Sequence, residues 1–120
     1  MAAMDAYRRL IAWQRCHALA LDVYNATKRF PRAERFGITD QVRRSAVSAC
    51  ANLAEGCARR GSKELMRFAG IALGSLAELD ALLLLSRDLK YLDLADYERL
   101  RNSYLEASKT TFGLLRSMRR

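Results

Sequence analysis

Apolar residues recur along this chain at spacings of three and four, the period of a helix, in four long segments parted by short polar connectors. The first runs from about Asp5 to Arg29. Gln14, Arg15, Asp22, Asn25 and Arg29 make its polar stripe; Trp13, Cys16, Leu19, Ala20, Val23 and Tyr24 make a broad apolar face. Phe30-Pro31 closes it, because a residue before proline avoids the helical region. A connector holding Gly37 leads to Thr39, whose hydroxyl suits an N-cap. The second helix, Thr39 to about Glu55, sets Val42, Ala46, Ala49 and Leu53 on one stripe, with side chains small enough for a neighbour to come close. Gly56 suits the left-handed position that ends a helix.

Ser62 is the next candidate N-cap, and the third helix runs from there to about Lys90. Leu65, Phe68, Ala72, Leu76, Leu79 and Leu83 form its core stripe. Gly70, Gly74, Ala77 and Ala81 form a second stripe of small residues, and glycine inside a helix costs ~1 kcal/mol relative to alanine, so close helix contact is expected there. Leu82, Leu83, Leu84 and Leu85 then cover every direction around the axis, which calls for burial on all sides. A lone bundle of this size has few places to hide them, and an oligomer is the expected remedy. Asp93 can cap a fourth helix with Asp96 three residues on; Tyr97, Leu100, Tyr104, Phe112, Leu115 and Met118 give its apolar face, and Arg116, Arg119 and Arg120 suit its C-terminal end. Short connections make neighbours antiparallel. The expected fold is all-α: one domain over 1–120, an up-down-up-down four-helix bundle that is the protomer of a ring-like homo-oligomer.

Composition narrows the function. One proline and six glycines argue against a many-turned β-sandwich, and a single histidine, His17, excludes a multi-histidine metal site. Cys16, Cys50 and Cys57 are an odd number without a Cys-x-x-Cys pair; they read as small apolar residues in a reducing compartment. Cys16 and His17 point ~100° apart on a helix, which does not make a nucleophile and its base. The apolar run Leu10 to Trp13 is too short for a signal peptide. The longer one, Phe68 to Leu85, contains Glu78 and Asp80 and reads as a buried helix rather than a membrane span. The expected setting is cytoplasmic, with no cofactor and no metal.

Charge is concentrated: residues 28–67 carry ten basic and four acidic groups, most of the chain's net +8. Such a surface draws phosphates without reading sequence. Antiparallel packing puts the first and second connectors at opposite ends, so Lys28, Arg29, Arg32, Arg35, Arg43, Arg44, Arg59, Arg60, Lys63 and Arg67 form either a stripe along the second helix or two separate patches. The sharpest local candidate is Arg59-Arg60-Gly61-Ser62-Lys63, cationic side chains at a helix start whose free N–H groups favour an anion; a capped helix start with solvated arginines is the plainer alternative. Gly56-x-x-x-x-Gly61-Ser62-Lys63 is not a P-loop, since no strand precedes it and the last two residues are exchanged. Asn52 and Glu55 are a thin basis for acid–base chemistry and are expected to hydrogen-bond neighbouring helix ends or pair with arginine, or, in a scaffold, to serve subunit contacts. Trp13 and Tyr24 are expected in the core rather than stacking bases. No catalytic constellation emerges.

The run Trp13-Gln14-Arg15, Val23-Tyr24, Phe30-Pro31, Glu34, Phe36-Gly37-Ile38, Gln41, Arg43-Arg44-Ser45-Ala46, Ser48, Asn52-Leu53-Ala54-Glu55-Gly56, Ser62-x-Glu64, Ile71-Ala72, Gly74-Ser75 and Glu78-Leu79 resembles the small bacterial four-helix bundle proteins called 23S rRNA intervening-sequence proteins. Ala49-Cys50-Ala51 departs from the proline-containing stretch usual before the asparagine. The resemblance implies a bundle protomer assembling into a ring, typically a homopentamer, in a family with no established enzymatic activity. A distant relative, the accessory protein of diversity-generating retroelements, has a similar basic barrel and works with RNA and a reverse transcriptase. The leading expectation is therefore a homo-oligomer binding RNA or DNA through phosphates; the alternative is a scaffold for a protein partner.

Overall fold

In the computed structural model, which describes residues 5–119, four α-helices follow a short 3-10 turn at Ala6–Arg9: α1 Ile11–Thr27, α2 Ile38–Ala58, α3 Ser62–Asp88 and α4 Leu94–Met118. Arg120 lies outside the described residues. Named contacts show that each helix runs against its neighbours. Arg43 on α2 donates to Thr27 on α1 at 2.8 Å, Ser48 on α2 meets Ser75 on α3 at 2.8 Å, and Arg101 on α4 pairs with Asp80 on α3. Between α1 and α4, Arg29 reaches Asp96 at 2.6 Å while Cys16 Sγ lies 3.9 Å from Thr111 Oγ1. The bundle measures 43 × 25 × 18 Å.

The core follows the expected stripes. Leu19, Val23, Val42, Leu53, Leu76, Leu79, Leu83 and Leu100 are wholly enclosed, and Ala46, Ala49, Ala69 and Ala72 are buried where α2 and α3 run together. Small side chains at those positions are what lets two helix backbones approach. Tyr24 and Phe112, expected on apolar faces, instead remain substantially exposed.

Helix ends depart from expectation for local reasons. The first helix does not begin at Asp5: Leu10 is extended (φ −77°, ψ 117°), separating the 3-10 turn from α1, and the Gln14 amide donates to the Arg8 carbonyl across the break at 2.7 Å. Thr39 does not cap α2. Gly37 holds that position, Glu34 accepts from the Ile38 N–H at 3.4 Å, and the buried Thr39 hydroxyl has no partner among the described residues. Glu34 also accepts the Tyr91 hydroxyl at 2.9 Å, tying the α1–α2 connector to the α3–α4 connector.

Gly56 does not stop α2, which continues to Ala58. A Cβ there would sit 2.8 Å from Phe68 Cβ and 3.0 Å from Leu65 Cδ1, so this glycine permits a close crossing with α3. Gly61, at φ +85°, is the residue that turns the chain into α3, and Ser62 makes no side-chain cap. The helix ends at Asp88 rather than Lys90, which is left-handed (φ 70°) at the turn. Asp93 does cap α4, accepting from the Asp96 N–H at 2.7 Å.

α3 is long and apolar enough, by length and composition, to cross a membrane. Its apolar stripe is nevertheless committed to the bundle, with Phe68, Ala72, Leu76, Leu79 and Leu83 buried. The four consecutive leucines divide: Leu83 is enclosed and Leu82 half-buried, while Leu84 and Leu85 stay 41% and 48% exposed. Gly70 and Gly74 likewise face outward, with no heavy atom within 4 Å of where a Cβ would stand. Close contact within the chain therefore does not account for those two glycines.

Candidate nucleic-acid interface

The antiparallel order settles the geometry of the cationic residues: they form two groups, not one. Arg43, on α2, and Arg59, the residue just past its end, are sixteen residues apart, ~24 Å along the helix axis at 1.5 Å per residue. Arg43 is half-buried, its guanidinium 4.7 Å from the Tyr24 ring centroid and donating to Thr27, so it serves the α1–α2 packing. Arg44 is exposed and pairs with Asp40 at 3.1 Å. At this end Arg29 pairs with Asp96 and Arg87 with Asp88, and Arg35 lies over the Phe36 ring, while Lys28 and Arg32 are exposed and make no ion pair among the described residues.

At the opposite end the structure gathers Arg59, Arg60, Ser62, Lys63 and Arg67 around the start of α3. Phe68 is the anchor. It is buried, and the guanidiniums of Arg59 and Arg67 lie over its ring at 5.3 and 4.4 Å from the centroid. Arg59 pairs with Glu55 at 2.6 Å and Arg67 with Glu64 at 3.2 Å. Its hydrogen bond to Glu55 raises Arg59 above its ordinary pKa, and the hydrogen bond from Arg67 holds Glu64 below the usual carboxylate range. Both pairs are exposed, so each contributes little to stability; they position the side chains. Arg60 and Lys63 are exposed and make no ion pair among the described residues. No side chain caps the N-terminus of α3, whose first N–H groups and dipole favour an anion.

Topology adds residues that sequence order hides. The 3-10 turn carrying Arg8 and Arg9 and the C-terminal end of α4 carrying Arg116 and Arg119 both belong to this same end of the bundle. Basic groups there clearly outnumber Asp5, Glu55 and Glu64. The available signal was the antiparallel connectivity itself, which brings first and last turns together although a charge count along the chain divides them.

Other sequence candidates serve the fold. Asn52 donates to the Ser48 carbonyl at 2.8 Å and to its hydroxyl at 3.1 Å, joining the Ser48–Ser75 contact between α2 and α3. Trp13 is half-buried and stacks on His17 at 4.7 Å, with Tyr7 edge-on at 4.9 Å. Burial pushes the thiols of Cys16 and Cys50 up to about 11 and about 12, and raises Cys57 to a lesser degree, so all three are protonated near neutrality.

A solved structure similar to this chain comes from Bacteroides thetaiotaomicron VPI-5482, a protein of unknown function from the S23 ribosomal protein family. It is 22% identical, the match covers 87% of this chain and 97% of that one, and the TM-score is 0.80, which establishes the shared fold. No curated protein matches the sequence. The family model described as 23S rRNA-intervening sequence protein matches residues 8–113, nearly the whole chain. A helical bundle of this topology carrying that signature along its length belongs to the 23S rRNA-intervening sequence protein family.

Proposed function

We propose that this chain is a non-enzymatic cytoplasmic protein that assembles into a homo-oligomer, a ring of five, and binds RNA or DNA through phosphates. The observation that carries the binding reading is the group Arg59, Arg60, Lys63 and Arg67 around the uncapped start of α3, with Arg8, Arg116 and Arg119 at the same end. Fixed cations and a helix N-terminus attract a polyanion by Coulomb forces and counterion release, without base readout. The assembly reading is supported by the outer face of α3. Gly70, Gly74, Ala77 and Ala81 leave a shallow strip there, flanked by Ile71, Leu84 and Leu85, each 41–48% exposed. A second copy packing on that strip removes apolar surface that one protomer cannot cover.

Neutralising one end at a time tests the binding. Replacing Arg59, Arg60, Lys63 and Arg67 by glutamine abolishes retention of a single-stranded oligonucleotide at low salt, whereas replacing Lys28, Arg32, Arg35 and Arg44 at the other end leaves most of it. Equal effects from the two ends, or none from either, overturn the assignment. In the latter case the exposed strip on α3 favours the scaffold reading, in which the partner is another protein.

A further inference from the structure

Beside the cationic group lies a cleft of about 430 Å³, and its lining is mostly apolar. Ala6 and Leu10 come from the 3-10 turn and the break that follows it, Gly56 and Cys57 from the last turn of α2, and Leu65 from the first turns of α3. Arg59, Gly61 and Ser62, at the junction of α2 and α3, complete the lining on its polar side. An apolar recess of this volume with a few polar groups at one side is the usual form of a small-ligand site. Here the polar side is cationic: Arg59 keeps N–H groups beyond the one given to Glu55, and the N–H groups at the start of α3 have no side-chain cap. The occupant that matches both halves is flat and apolar on its faces and carries an anion next to the ring.

We propose that this cleft receives one unpaired nucleobase of a bound single strand, with the adjoining phosphate held by Arg59 and the N-terminus of α3. The inference rests on the phosphate-binding reading and adds to it a preference for unpaired over double-stranded nucleic acid. Few hydrogen-bonding groups line the recess, so a base is held by apolar contact with Leu10 and Leu65 rather than by base-edge readout, and the preference among bases is weak. Cys57 lines the cleft with a protonated thiol, which places a built-in reporter at the base site. Cys16 is buried and Cys50 half-buried, and burial raises the thiol of each further than that of Cys57, so alkylation reads chiefly Cys57.

The test compares a ten-nucleotide oligouridylate with an abasic ribose-phosphate oligomer of equal length and charge. Affinity is read by competition and Cys57 occupancy by its rate of N-ethylmaleimide modification. Oligouridylate is expected to bind about tenfold more tightly, the scale of covering roughly 50 Å² of apolar surface, and to slow Cys57 modification severalfold, while the abasic oligomer binds without slowing it. The variant Ala6→Phe, which puts a ring into the cleft, brings oligouridylate down to the abasic affinity and leaves abasic binding unchanged. Equal affinities with equal effects on Cys57 overturn the base site and leave the phosphate reading standing. Failure of both oligomers to bind at low salt removes the phosphate reading, and the base site with it.

Discussion

The α carbon of Gly56 faces the side chain of Phe68 so closely that a methyl group there would come 2.8 Å from Phe68 Cβ. Phe68 in turn carries the guanidiniums of Arg59 and Arg67. The packing of α2 on α3 and the placing of two cations are therefore one arrangement. Gly56→Ala is expected to destabilise the fold by about 1–3 kcal/mol, the usual result of overpacking a tight contact, and to weaken oligonucleotide binding with it. Urea unfolding of the variant checks the first effect; an unchanged midpoint contradicts it.

Gly70 and Gly74 predict the opposite. A methyl group at either meets nothing within the protomer, and alanine favours a helix over glycine by about 1 kcal/mol. Each Gly→Ala change should thus raise protomer stability while loosening an assembly that packs on this strip. Thermal unfolding combined with light scattering separates the two effects. A stabilised variant that keeps its full assembled mass shows that the strip is not a subunit contact.

Thr39 offers a third test. Its hydroxyl is buried without a partner among the described residues. Replacing it by valine, of nearly equal shape, removes an unmet hydrogen bond and should stabilise by about 1 kcal/mol. A loss of stability would mean that the hydroxyl is satisfied in solution.

Helix number, order and most of the core were readable because burial on one side imposes its period on the sequence. Leu19, Val23, Val42, Leu53, Leu76 and Leu83 are enclosed as their spacing requires. Helix ends were less readable, because capping depends on contacts distant in sequence. Glu34 takes over at α2 the role that Thr39's chemistry suggested, and Gly56 is needed not to end α2 but to let Phe68 of another helix come close. The candidate site was half visible. The run Arg59 to Lys63 stands out along the chain, but the separation of Arg43 and Arg44 from it, and the arrival of Arg8, Arg116 and Arg119 beside it, follow from topology.

Glu55 and Glu64 hold two of the cations that the phosphate reading uses, so they compete with a bound polyanion. Glu64→Gln should raise oligonucleotide affinity about two- to fivefold, the scale of an exposed ion pair. The pH dependence has the same sign. Glu64 sits below the usual carboxylate range because Arg67 stabilises its charged form, so Arg67 stays engaged until the pH falls through that lowered value, and binding strengthens as it does. Affinity that is flat in acid and unaltered in the variant contradicts this competition.

The most direct check on phosphate binding at this end of the bundle is the dependence of oligonucleotide affinity on salt, measured for the native chain and for Arg60→Gln/Lys63→Gln. Log affinity should fall linearly with log salt, and loss of two phosphate contacts on a single strand should flatten the slope by about 1.4. An identical slope for both proteins would show that these cations touch no phosphate.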